Sequence, residues 1–150
     1  MLLNVHIKNI ALIDDANVNF TDNLNILTGE TGAGKSIIMG ALKIGMGDKL
    51  PKDIVREQGK EGFCQLLFLV DDDQTADQIR ELGVNPSEDG EILITRRIVG
   101  SRTINTINDM AAHVSTSHRY AYSASAADTY EESGAHKDSR QIWQGDYRPG

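Results

Sequence analysis

Cysteine is nearly absent: with Cys64 alone, no disulfide can close within the chain, and the composition fits a reducing compartment. Positive charge is also short. Against 22 Asp and Glu stand 15 Lys and Arg, a formal net charge of −7, so no global field draws this chain onto nucleic acid. DNA contact would need a local patch or a partner segment. Long apolar runs are missing from the start: residues 1–13 are interrupted by His6, Lys8 and Asn9, and form neither a signal-peptide core nor a membrane span. The expectation is a soluble cytoplasmic chain with no membrane partner. A length of 150 residues suits one domain with a real core and hardly two, and 39% hydrophobic content is slightly lean.

The apolar residues are unevenly spread. Every leucine, phenylalanine and methionine lies before Ala111, and every tyrosine and the only tryptophan lie after it. Beyond Ala112 the only aliphatic β-branched residues are Val114 and Ile142, and residues 115–125 show neither helical nor strand periodicity. Such a tail cannot bury enough apolar surface to offset its ordering entropy, so 111–150 is expected to be disordered. No internal repeat is visible.

Residues 1–110 carry the structure. Leu3, Val5 and Ile7 alternate with polar neighbours, which predicts a half-buried strand. Val18 and Phe20 begin a second strand, with Asp14 and Asp15 in the connection. Leu24, Ile26 and Leu27 make a short apolar strand ending at Thr28 and Gly29. From Lys35 the spacing turns helical through Ile37, Ile38, Ala41, Leu42 and Ile44, with Gly45 and Gly47 as stop signals. Residues 63–70 read as a buried strand, and 75–82 as a short helix begun near Asp73 and closed by Gly83. Residues 92–99 and 103–107 read as a hairpin across Gly100, Ser101 and Arg102. Strands alternating with helices after an antiparallel start predict an α/β domain with a mixed sheet.

Between the third strand and the first helix lies Gly29-Glu30-Thr31-Gly32-Ala33-Gly34-Lys35-Ser36, which satisfies G-x-x-x-x-G-K-[ST]. Glycines at 29, 32 and 34 allow backbone angles and a close approach that a Cβ would forbid. Successive N–H groups can then wrap phosphates at the positive end of the helix dipole. Lys35 places an ammonium beside the β- and γ-phosphates, and the Ser36 hydroxyl is the expected Mg²⁺ ligand. A glycine-rich turn with no ligand is the competing reading, but a chance match arises on the order of 10⁻⁵ to 10⁻⁴ per position. The motif, with a strand before it and a helix after it, points to ATP and Mg²⁺.

Other residues carry less. Asp71 and Asp72 end an apolar strand, as do the metal-holding acids of many nucleotide hydrolases, yet acidic residues at helix entrances are common and that reading is preferred. Arg56 is either a phosphate-reaching arginine or a solvent-facing one. Arg96, Arg97 and Arg102 could meet DNA phosphates, but the acidic net charge favours a solvated strand face. His113, His118 and His136 have no metal-ligand spacing with Cys64 or each other.

The opening residues 1–13, followed by Leu24-Asn25-Ile26-Leu27-Thr28 and the loop spelled Gly-Glu-Thr-Gly-Ala-Gly-Lys-Ser, closely resemble the N-terminus of the bacterial RecN family of DNA-repair ATPases, related to the SMC proteins. Asp53-Ile54-Val55-Arg56 and the hairpin ending at Ile107-Asn108 look like further matches, and the resemblance stops near residue 110. It implies an ABC-type ATPase head whose N-terminal lobe, here residues 1–110, holds the phosphate loop. In that family a second lobe beyond a coiled coil supplies the metal-binding acid, the catalytic glutamate and the signature motif. Two heads sandwich two ATP molecules, which couples nucleotide state to DNA in recombinational double-strand-break repair. The resemblance thus implies a nucleoid-associated role, DNA as partner of the full-length family protein, and a head-to-head dimer. It also removes Asp71 as the metal-holding acid.

The departures from the family set further expectations. The chain shows no signature motif, no heptads and no second lobe, and after Met110 no glutamine-bearing loop. Residues 111–150 are accordingly expected to be an aberrant, out-of-frame end on a truncated RecN-like gene. The chain is then an ATP-binding segment, not hydrolytically competent alone, with Arg56 a weaker candidate for γ-phosphate contact. Two alternatives stand: a self-sufficient P-loop phosphotransferase using Asp71 or Asp72 on Mg²⁺, and an inert, interaction-only fragment.

Overall fold

Among the described residues, alternating apolar residues on successive strands lay down one apolar face of a sheet of six strands. The computed structural model describes residues 1–22, 25 and 33–113, with the side chains of 33–35 outside the description. The elements are β1 (Leu2–Ile10), β2 (Ile13–Asn19), α1 (Ala33–Gly45), β3 (Gly62–Leu69), α2 (Asp73–Glu81), β4 (Glu91–Val99), β5 (Arg102–Ile107) and β6 (Met110–Ala111). Their order across the sheet is β2-β1-β3-β4-β5-β6, and every described pairing is antiparallel. The strand read at Leu24, Ile26 and Leu27 lies outside the described residues, as does the tail from 114 onward.

Register builds the core in rows. Val5, Leu66, Ile94 and Ile107 face one another across four strands, and Ile7, Cys64, Arg96 and Asn105 form the next row. All eight are buried. Helix α1 lies on this face and adds Ala41, Leu42 and Ile44, while Ala76 and Ile79 of α2 join the same core. The opposite face of the sheet is half-buried and largely polar. There the Asn4 amide donates to Asn17 Oδ1 and Asn19 Oδ1, Gln65 donates to Thr95, and the rings of His6 and Phe63 meet edge to face at 4.9 Å. The strand read at 63–70 is therefore fully buried only through Cys64, Leu66, Phe68 and Val70.

Two early readings are corrected. In β1 a bulge between Leu2 and Asn4 shifts the register, so Leu2 joins Val5 and Ile7 in the core and Leu3 is only half-buried. Asp14 and Asp15 lie within β2, not in the connection, which is Ala11 and Leu12 with Ala11 at φ 53°. Aspartate is disfavoured in strands, but Asp15 sits beside His6 Nε2 at 2.8 Å and Lys8 Nζ at 3.8 Å, and this cross-strand partnership compensates.

The other boundaries follow local chemistry. Asp72 caps α2 by accepting from the Thr75 amide at 2.7 Å, and Gly83, at φ 92°, follows its end. The β4–β5 hairpin turns through Gly100 and Ser101, with Gly100 at φ 61° in the place a type II′ turn reserves for glycine. Met110 and Ala111 pair with Ile107 and Thr106, so the sheet extends past residue 110.

The two glycines read as helix stops do different work. Gly47, at φ 114°, ends α1 in a Schellman motif: its amide donates to Ile44 O at 3.1 Å and the Asp48 amide to Lys43 O at 3.0 Å. Gly45 is inside the helix, where an added Cβ would lie 2.8 Å from Cys64 Sγ and 3.0 Å from Leu66 Cδ1. Helix propensity alone favours alanine there by about 1 kcal/mol, but overpacking a tight contact costs about 1–3 kcal/mol. Gly45→Ala is expected to lower stability by about 1–2 kcal/mol in urea unfolding; a stabilised variant would show that α1 can back away from β3 freely.

Candidate functional site

Helix α1 begins inside the phosphate-loop motif. Residues 29–32 lie outside the described residues, while Ala33, Gly34, Lys35 and Ser36 form the first helical turn and the Ser36 side chain is exposed. The first amides of a helix have no intrahelical acceptor, and they sit at its positive end. No acidic residue occupies this turn, so nothing in it repels an incoming polyphosphate. The residues present fit the expected ligand: backbone donors for oxygens, an exposed hydroxyl for a hard cation whose remaining ligands are phosphate oxygens and waters.

The far end of α1 is fixed to the sheet. Cys64 Sγ donates to Ala41 O at 3.2 Å, and Arg96 Nη1 donates to Ile44 O at 2.8 Å and Asp48 O at 2.5 Å. Burial pushes the Cys64 thiol up to about 12 from its ordinary value of 9.0, so it is an inert core group at neutral pH.

Arg56 sits on a segment stapled to the end of β1. The Ala11 amide donates to Ile54 O at 2.7 Å, Ile10 and Val55 form a bridge, and the Arg56 amide donates to Asn9 O at 3.2 Å. Buried Asn9, at φ 53°, holds the rest: Nδ2 donates to the carbonyls of Glu57, Lys60 and Glu61 at 3.3, 3.4 and 3.2 Å, and Oδ1 accepts from the Glu57 amide at 2.8 Å. The Arg56 guanidinium itself is half-exposed, with its ion pair to Asp14 of β2 at 3.3 Å. Sequence reasoning missed Asn9 as a clamp. Its signal was an asparagine breaking the alternation of β1, since asparagine is among the few residues that tolerate positive φ.

The remaining candidates resolve individually. Asp72 is a helix cap, and the Thr75 hydroxyl and amide hold its carboxyl below the usual range. Asp71 is exposed. Arg96 is on the core face, contrary to the solvated face read for it. The alternation Ile92, Ile94, Arg96, Ile98 was the overlooked signal. Arg97 is outside and forms a two-pronged pair with Glu61, whose carboxyl it holds below the usual range. Arg102 and His113 are exposed, and His118 and His136 lie outside the described residues. Among the described residues no three His, Cys, Asp or Glu gather as a metal site, and no helix is long and apolar enough to cross a membrane.

A family profile described as an AAA domain matches residues 4–141, and the chain belongs to that family. In sequence it is 38% identical over 96 residues to the DNA repair protein RecN of Synechocystis sp., a match covering 64% of this chain and 16% of that protein. It is 36% identical over 110 residues to RecN of Halalkalibacterium halodurans, covering 72% of this chain and 19% of that one. The chain thus spans less than a fifth of the length of these curated relatives, within their N-terminal region. In fold it is similar to an SMC ATPase studied for ATP-driven dimerization and DNA-stimulated activation, with a TM-score of 0.63 at 17% identity over 82% of this chain and 78% of that one. An SMC head bound to the C-winged-helix domain of ScpA gives 0.64 at 17% identity, over 82% of this chain and 40% of that one. The fold is that of the SMC-type head, with RecN the sequence likeness.

Two expectations follow from this geometry. Asn9→Ala leaves the Glu57 amide and three carbonyls without their partner and puts alanine at positive φ, so stability should fall by about 2–3 kcal/mol, with new protease cuts at 56–61. Folded Cys64 keeps its proton to about pH 12 while the unfolded thiol releases it near 9.0, so the stability it confers is full below that lower value and lost as pH rises between the two. Urea unfolding at stepped pH should therefore show a decline above pH 9 that is shallower in Cys64→Ala by up to ~1.4 kcal/mol per pH unit.

Proposed function

We propose that this chain is the ATP-binding segment of a RecN-like ATPase of recombinational DNA double-strand-break repair. One observation carries the reading: Lys35 and Ser36 of a complete phosphate-loop motif occupy the first turn of α1, at the N-terminal end of a helix whose other end is anchored in the core. Residues 29–36 supply main-chain amides to the phosphates, Lys35 an ammonium to the β- and γ-oxygens, and the Ser36 hydroxyl a ligand to Mg²⁺. Bound Mg²⁺ would neutralise phosphate charge. Arg56, displaced from Asp14, is the further group for the γ-phosphate.

Hydrolysis also needs an oriented water and stabilisation of the charge that develops in the transition state. The acids a self-sufficient phosphotransferase would use are an exposed loop residue, Asp71, and a helix cap, Asp72. We therefore infer binding without appreciable turnover by this chain alone. In the full-length family protein, a second head would complete the site and couple it to DNA in the cytoplasm. The SMC likeness, in a fold studied for ATP-driven dimerization, supports that arrangement.

Calorimetric titration with Mg²⁺-ATP tests the reading. Wild type should saturate, and Lys35→Ala should bind at least about tenfold more weakly, a loss of about 1.4 kcal/mol. Phosphate release should stay at background in both. Featureless traces from both proteins would overturn the assignment in favour of an inert fragment.

A further inference from the structure

Arg96 places a guanidinium where the sheet's own pattern calls for another isoleucine. It stands between Cys64 and Asn105 in an interior row, 6% exposed, and it donates to Ile44 O in the last turn of α1 and to Asp48 O just past the turn that ends the helix. Removing a charge from water is costly unless that charge is compensated. Here the compensation is the carbonyl of Ile44 at the negative end of the helix dipole, with the carbonyl and the charge of Asp48 just beyond it. Among the described residues, Arg96 Nε and Asn105 Oδ1 are buried without partners, so Arg96 is not simply the best-satisfied filler of a core site. Replacing such a buried charge by an apolar residue of similar size is often neutral or stabilising, which makes bulk stability a poor account of it.

Direction distinguishes a guanidinium from an apolar side chain. An isoleucine or methionine would leave this end of α1 held by packing and the weak Cys64–Ala41 bond, whereas the directed bonds to Ile44 O and Asp48 O narrow its placement further. At a rise of 1.5 Å per residue, the first turn of the 13-residue helix lies about 12–16 Å from the anchor at Ile44. A tilt of about 5° would move that turn by about 1–1.4 Å, and errors of about 1 Å in a phosphate-positioning group are functionally large.

We propose that Arg96 is a positioning residue for the nucleotide site: by locking the C-terminal end of α1 to β4, it sets where residues 33–36 meet the phosphates. The inference rests on the nucleotide-binding reading above, and its test has one arm that needs no nucleotide.

The full 150-residue chain is compared with Arg96→Met and Arg96→Lys, well below their unfolding temperatures. Hydrogen exchange is followed at the amides of 37–40, which bond to the carbonyls of the first turn, and at Val5 and Ile7 of β1 as reference. In Arg96→Met, exchange at 37–40 should rise at least tenfold while β1 stays within twofold, and Mg²⁺-ATP affinity should fall at least tenfold. Arg96→Lys, which keeps a charged donor, should recover part of both losses. Unchanged exchange at 37–40, or acceleration by the same factor in α1 and β1, would overturn the proposal. So would full affinity in Arg96→Met. Should Arg96→Met not fold, Arg96→Lys decides by the same comparison: selective loosening of α1 upholds the proposal, while uniform or absent loosening defeats it. If wild type does not bind Mg²⁺-ATP, the nucleotide reading fails, and the exchange arm still settles whether Arg96 anchors the helix.

Discussion

Helix α1 comes close to the sheet because Gly45 has no side chain, and most of the architecture is arranged around that approach. Cys64 fills the space left by the missing Cβ and spends its thiol hydrogen on Ala41 O, while Leu66 closes the other side. Just beyond, Gly47 turns the chain and Arg96 reaches up from β4 to the released carbonyls. Three kinds of force thus meet at one helix end: close packing, a backbone motif and a buried charge. The opposite end carries the first-turn amides, which have no acceptor within the helix, and that is the condition an anion site needs.

A second fixed point lies at the end of β1. Asn9 uses its whole amide on the segment after α1, and positive φ turns that amide toward it. Arg56 and Glu61 flank this clamp, and each has an ion-pair partner on a different strand, Asp14 on β2 and Arg97 on β4. The segment is therefore tied to three strands. Exposed ion pairs of this kind contribute little energy, so the buried Asn9 bonds carry most of the restraint.

Much of this was legible in the residues. The helix from Lys35 onward, the helix closed by Gly83 and the hairpin at Gly100 follow from period and from glycine, because those signals are local. The likeness of the opening residues and the phosphate-loop motif to RecN named the family that the comparisons bear out. What was not legible depended on partners distant in the chain. Asp15 looked like a turn residue until His6 and Lys8 were placed beside it, and Arg96 looked like surface until α1 ended above it. The bulge after Leu2 likewise depends on pairing with β3, which no local pattern encodes. The two glycines after Ile44 were indistinguishable as letters; only the distance to Cys64 separates packing from turning.

The pairing of β1 with both β2 and β3 has a consequence for how the molecule is made. The first partner follows within a few residues, whereas the second arrives only after α1 and the Asn9-clamped segment, joining residues as far apart as 2 and 68. Closing so long a loop must precede the reward of the contact, which slows folding. During synthesis the β1–β2 hairpin must wait with one row of main-chain groups unpaired. A nascent chain held at that stage presents a bare strand edge, and misassociation there competes with completion of the sheet.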